Sequence, residues 1–292
     1  MNQTLHNDIL TVTASSAGAE LQSIRDNRSG YEFLWQGDPR FWKRRSPVLF
    51  PIVGAVWDGV FRMDGRDFPM GQHGFARDME FKPVADTPDD EMWFSLEADN
   101  ETLSKYPRRF RLEIGYRLQQ ERISVMWRVT NLDSREMHFQ IGAHPAFNLP
   151  DFDPSDKVHG YFMLDAEKIT SEIIAAKGCV GGDTKEIELD GGVLPIQADT
   201  FKDDALIVGD NRLHRVSLMG KEQLPVLSLL FRSPYVGLWA PSADAPFVCI
   251  EPWYGRADST GFTGDFSEKI AVNTLAPGQT FSAEYFIIIE RL

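Results

Sequence analysis

The stretch from Phe110 to Ile141, FRLEIGYRLQQERISVMWRVTNLDSREMHFQI, alternates with a period of two. Phe110, Leu112, Ile114, Tyr116 and Leu118 interleave with Arg111, Glu113, Gly115 and Arg117. A strand sends successive side chains to opposite faces, so this pattern makes one apolar face and one polar face. Gln119 to Arg122 supply a turn, and Ile123, Val125, Trp127 and Val129 alternate again. Asn131-Leu132-Asp133-Ser134 has turn composition, and Met137, Phe139 and Ile141 open a third strand. The pattern predicts an antiparallel meander with one buried face.

Working outward, Ile9–Ala14 and Ala19–Ile24 predict a hairpin around Gly18. Met92–Ala98, Gly160–Leu164, Val226–Arg232, Val236–Ala240, Phe247–Glu251 and Phe281–Glu290 predict further strands. Helical period is confined to short runs near Leu103, Phe201 and Pro241. Residues 177–200, rich in Gly and Asp, read as a hairpin excursion or a long loop. With no internal repeat and no shift of composition, the expectation is one all-β, antiparallel domain over residues 1–292, a sandwich rather than a small barrel.

The 292 residues are 42% hydrophobic and 25% charged, as in ordinary globular proteins. The formal net charge of -13 repels nucleic-acid phosphates and anionic membranes. Lys43, Arg44 and Arg45 beside Trp42 are too few to reverse that. No run is long enough to span a bilayer, and MNQTLHNDIL lacks the features of a signal peptide. Two cysteines, Cys179 and Cys249, do not make a disulfide framework. The expectation is a cytoplasmic protein that binds neither nucleic acid nor membrane, with an oligomeric state that the sequence does not encode legibly.

Polar chemistry gathers in four segments: Trp42–Pro47, Gln72–Asp78, Gly142–Asn148 and Glu251–Asp258. If Met137, Phe139 and Ile141 face the core, His138, Gln140, Gly142 and His144 face away. His144 then stands where Pro145 stops the strand, well placed for a ligand or simply for solvent. Glu251 follows the apolar run Phe247–Ile250 and precedes Pro252, which is expected to end its strand. Partial burial there would raise the carboxyl pKa toward the range of a general base, while a solvated carboxylate would stay inert. His73 and Arg77 flank Gly-Phe-Ala. The Arg77 fork suits sugar hydroxyls or a phosphate, or a pairing with Asp78. Trp42, Trp57, Phe75, Phe147, Trp253 and Tyr254 supply ring faces that fit the C–H face of a pyranose, or fill the core.

A His and Glu pair suits proton transfer at two oxygens of one sugar: a base on the O1 hydroxyl, an acid on the ring oxygen O5, on opposite sides of a pinned pyranose. Such a reaction requires no cofactor. His73, His144 and Glu251 have residue types that allow a metal set, but no compact ligand motif is present and no metal is expected. G-x-S-x-G, G-x-G-x-x-G and the Walker loop are all missing. Asp204, Glu251 and Asp258 leave glycoside hydrolysis open on residue type.

Together, Tyr31–Trp35, Ser46–Gly54, His73–Arg77, Gly142–Asn148 and Cys249–Trp253 resemble the aldose 1-epimerase (galactose mutarotase) superfamily, in its LacX-like branch near the hexose-6-phosphate 1-epimerases. The resemblance spans nearly the whole chain and implies a large antiparallel β-supersandwich. It implies His144 as general acid on O5 and Glu251 as general base on O1. It places His73, Asp204 and Arg77 around the sugar, with Trp253 in the same motif as Glu251. One departure stands out: Ala55 follows Gly54 where the family usually has an arginine. Arg45 with Arg77 would then hold a phosphate if the substrate is a hexose phosphate; a free monosaccharide is the first expectation. A non-catalytic carbohydrate-binding protein on the same fold is the rival reading, with a hydrolase or lyase on a related sandwich third.

Overall fold

The structure is a computed structural model that describes residues 1–290. The hairpin from the opening stretch forms as expected. Phe110–Gln119 pairs with Arg122–Asn131, with Trp127 opposite Ile114 and Val125 opposite Tyr116. Ile114, Tyr116, Ile123, Val125, Trp127 and Val129 are all buried in the main core. These two strands lie inside a nine-stranded antiparallel sheet that also contains Glu91–Glu97, Gly160–Leu164, Pro225–Phe231 and the long C-terminal strand Thr280–Ile289.

The third segment departs from the meander. Met137–Phe139 pairs with Asn273–Leu275, and Ile141–Ala143 joins a second, eight-stranded sheet. Two buried amides redirect the chain. The Asn131 amide nitrogen donates to the carbonyls of Arg135 and Leu275, and its oxygen accepts from the Asp133 N–H. Gln140 accepts from the Val53 N–H and donates to the Ile270 carbonyl. Buried polar groups must be paired, and the partners at Leu275, Val53 and Ile270 lie outside the first sheet.

The second sheet holds Lys168–Ile174 beside Val180–Glu188, then Leu206–Val208, Tyr235–Trp239, Phe247–Tyr254, Ile141–Ala143 and Val48–Leu49. Residues 177–200 therefore carry two strands, Val180–Glu188 and Val193–Ile196, rather than a loop. A first strand, Asn2–His6, precedes the predicted N-terminal hairpin and pairs with it. A short helix, Asn100–Lys105, covers Leu103 and is capped by Asp99. Phe201 and Pro241 lie in non-helical turns.

Both faces of the Phe247–Tyr254 strand are covered. Val248 and Ile250 point into the core between the two large sheets. Phe247, Cys249 and Trp253 point the other way and belong to two smaller apolar clusters. Glu251 shares that second face by its period of two.

Candidate active site

The register of the second sheet builds the site. Ile141 pairs with Tyr254 and Gly142 with Trp253. After a break the chain pairs again, Ala146 with Cys249 and Phe147 with Val248. The register is the same on both sides of the break, so His144 stands opposite Glu251. Pro145 and Pro252 sit inside the break, where a missing backbone donor leaves no hydrogen bond of the ladder unmade. Pro252 does not end its strand as expected. The strand runs on to Tyr254, and Pro252 pairs in register with Val236 on its other side.

His144 Nε2 lies 3.3 Å from Glu251 Oε2. The contact is not aligned as a hydrogen bond, and Glu251 Oε2 and His144 Nδ1 are both left without partners. The residues are 7% and 1% exposed, which makes these unspent polar atoms costly unless a ligand meets them. The pair is adjacent on one side of the cleft rather than on opposite sides of it.

Aromatic rings enclose the imidazole. Trp42 stacks on His144 at 4.7 Å, and Trp239 meets it edge-on at 5.4 Å. Burial, then the nearby Arg77 guanidinium, hold the His144 pKa at about 3, so the ring is neutral at ordinary pH. Burial, reinforced by the negative Asp204, pushes the Glu251 carboxyl well above its usual range. The Trp253 indole N–H eases that rise, although it forms no complete hydrogen bond. Both shifts favour the uncharged forms of the two groups.

Trp253 lies flat on the sheet because its neighbours are glycines. A Cβ at Gly142 would approach its ring to 2.7 Å, and one at Gly237 to 2.6 Å. The space that Gly142 leaves is thus taken by an indole of the protein itself. Gly237 pairs directly with Glu251.

His73 has a φ of +66°, uncommon for a residue with a side chain. Its N–H donates to the Gly54 carbonyl at 2.8 Å, and its Nδ1 accepts from the Gly54 N–H at 3.1 Å. Burial keeps the ring neutral, so its proton is on Nε2, the nitrogen not bonded to Gly54. The ring stands 5.5 Å from that of His144.

These groups line one cleft of about 700 Å³, a volume typical of small-molecule sites. His73, Arg77, His144, Asp204, Glu251 and Trp253 all meet there. Arg77 donates to the Gln72 carbonyl at 2.7 Å, and its Nε, which makes no hydrogen bond, lies 3.9 Å from Asp78 Oδ2. Asp204, in an exposed turn, accepts from the Ala205 N–H. Arg45 does not join them. Its guanidinium donates to the Gln22 carbonyl, so the suggested Arg45–Arg77 phosphate clamp is not formed. Arg44 pairs with Asp78 as well.

Ala55 is backed by the segment Ile174–Gly178. A Cβ on Gly178 would touch the Ala55 Cβ at 3.4 Å, and Ile174, Ala175 and Gly178 form that wall of the cleft. Sequence reasoning missed Trp239 and Lys202 in the lining, while Gln72 belongs to a segment it had singled out without giving that residue a role. Lys202 had a usable signal, since it lies directly before Asp203-Asp204. Trp239 had none, because it ends a strand whose pattern is apolar throughout.

Comparison with known proteins shows the family and the fold. The sequence profile of a family described as "Aldose 1-epimerase" matches residues 1–263. The chain is 31% identical to the chromosomal Protein LacX of Lactococcus lactis subsp. lactis, over 98% of each chain. A solved structure of a galactose mutarotase related enzyme from Lactobacillus acidophilus superposes with a TM-score of 0.92 at 31% identity, covering 100% of this chain and 98% of that one. A galactose mutarotase-like protein from Lactobacillus casei gives 0.93 at 29% identity, covering 99% of this chain and 100% of that one.

Proposed function

The chain belongs to the aldose 1-epimerase family, and from that premise we propose that it interconverts the α and β anomers of a hexose by acid–base ring opening at His144 and Glu251. The observation that carries the proposal is the buried contact between these two side chains, with unpartnered polar atoms, at the floor of the cleft.

O1 and O5 are both bonded to C1, so an acid and a base in contact with each other can serve both. Burial favours one proton on the pair, held by Glu251. Its passage across the contact leaves a carboxylate facing O1 and an imidazolium facing O5. Glu251 then takes the O1 proton while the O1–H electrons form the C1=O1 bond. The C1–O5 bond breaks, its electrons stay on O5, and His144 protonates O5. The C1–C2 bond rotates, and the reverse transfers close the ring on the other face. The proton count of the pair is restored in each full cycle. His73 Nε2–H, Arg77 and Asp204 hold hydroxyls, and Trp253 offers its indole to the ring. Each positioned proton-transfer group is worth typically about 10²- to 10⁴-fold.

A hexose 6-phosphate is the second reading, favoured by Arg77 and Lys202 in the lining. Proton NMR of freshly dissolved α-glucose, α-galactose and glucose 6-phosphate, with the uncatalysed rate subtracted, tests both readings. Acceleration of a free hexose supports the first, and faster turnover of the phosphate supports the second. Saturable sugar binding without any acceleration would overturn both in favour of a binding protein.

A further inference from the structure

Cys249 has no part in the reaction above, yet its thiol lies beside the acid–base pair. It precedes Glu251 by two residues, so both side chains leave the same face of the strand. One ligand atom each from His144, Cys249 and Glu251 falls within 4.8 Å of the others. Imidazole, thiolate and carboxylate are the nitrogen, sulfur and oxygen ligands of zinc. The 3.3 Å between His144 Nε2 and Glu251 Oε2 already equals the edge of a tetrahedron with bonds of about 2.0–2.1 Å. A shift of roughly 1 Å brings the Cys249 sulfur to a zinc–sulfur bond of about 2.3 Å. A second observation points to a ligand: Glu251 Oε2, the oxygen facing His144 Nε2, is buried without a hydrogen-bond partner. His144 and Glu251 line the cleft, which supplies an entry path and a fourth coordination position.

We propose that His144, Cys249 and Glu251 form a three-ligand site for Zn²⁺ or another thiophilic divalent cation, and that occupancy of this site excludes anomer interconversion. The metal takes the carboxylate and imidazole lone pairs that the proton transfers need. Binding forms the zinc–sulfur and zinc–carboxylate bonds and releases the thiol proton and the Glu251 carboxyl proton to solvent, with no change of oxidation state. The metal is here an antagonist of the reaction, not its catalyst. Binding itself is measurable without any activity, so a failure of this site and a failure of the epimerase reading are distinguishable.

Isothermal titration of the full chain with ZnCl₂ tests the site, with Co²⁺ as a spectroscopic replacement whose bond to thiolate gives a charge-transfer band. Wild type is expected to bind one zinc per chain and to show the cobalt–thiolate band. Cys249→Ala, and the nearly isosteric Cys249→Ser, should lose the band and bind zinc at least tenfold more weakly. Zinc should slow anomer interconversion by wild type and EDTA should restore it, while the rate of the folded Cys249 variants should resist zinc. Zinc binding of unchanged affinity in both variants, a cobalt complex without the thiolate band, or no binding by wild type would each overturn the proposal.

Discussion

Replacing Glu251 by glutamine should cost activity and gain stability, and the two effects separate by pH. Glutamine keeps the length of the side chain beside Trp253 and opposite Gly237, but it cannot take a proton. Loss of a positioned base lowers the rate by about 10²- to 10⁴-fold, which is ~3–5 kcal/mol of barrier. Stability moves the other way. Burial holds the folded carboxyl well above its ordinary value of 4.5. Between 4.5 and the raised value the folded chain keeps a proton that the unfolded chain has released. Wild-type stability from this group is therefore full below pH 4.5 and is lost as pH rises through the raised pKa. The substituted amide titrates nowhere, so the variant's Tm relative to wild type should climb steadily above pH 4.5. Proton NMR of anomer interconversion and calorimetric Tm from pH 4 to 8 measure both. A variant keeping more than about a tenth of the wild-type rate would refute the assignment of the base. A Tm difference flat across that range would refute the argument from burial.

Other consequences follow from the same geometry. His144 titrates with the opposite sign: its folded pKa of about 3 lies below the ordinary 6.5, so stability is full above 6.5 and is lost as pH falls through 3. His144→Phe should flatten the dependence of Tm on pH between those values, and proton NMR should show a loss of rate of about 10²-fold or more. Gly237→Ala sets a Cβ at 2.6 Å from the Trp253 ring. It should destabilise by about 1–3 kcal/mol in urea unfolding and raise KM more than it lowers kcat, since the indole must tilt off the sheet. Lys269 Nζ lies 2.5 Å from Asp258 Oδ1, and both are almost wholly buried. Lys269→Met should cost about 3–5 kcal/mol by stranding the carboxylate, with part of the loss recovered on adding Asp258→Asn.

Much of the fold was legible because alternation is a local property. The strands at 110–119, 122–131, 160–164 and 280–289 follow directly from period two. The destination of Met137–Ile141 was not legible. It depends on Asn131 and Gln140 finding carbonyls at Leu275 and Ile270, far away in sequence. Arg45 fails for a related reason: a basic run shows that charge is present, not where each guanidinium points, and Arg45 turns to the Gln22 carbonyl. Asp204 and His73 reach the cleft from turns with left-handed backbone, a conformation that neither residue announces by itself. Cys249 stands two residues before Glu251 and so on its face of the strand, but nothing in its apolar run gives it a role.

The two prolines explain why the site sits where it does. Pro145 and Pro252 each read as the end of a strand, yet the strand through Pro252 continues, and the pairing on either side of the break keeps one register. A proline costs a sheet only where a donor is needed. Pro145, opposite Ile250 by that register, and Pro252, opposite Ala143, stand diagonally about the His144–Glu251 position, and the regular ladder opens there. The distance between His144 and Glu251 is then set by cross-strand spacing rather than by a loop, and no side-chain rearrangement is required to bring them together. Changing that distance would take a slip of register, which turns every buried residue of the strand to the wrong face. His73, Arg77 and Asp204 come instead from turns and a short 3₁₀ segment at the rim, the parts of a fold that vary most freely. The proposed proton-transfer pair would thus stand on the sheet, and the proposed sugar-contacting groups on the turns.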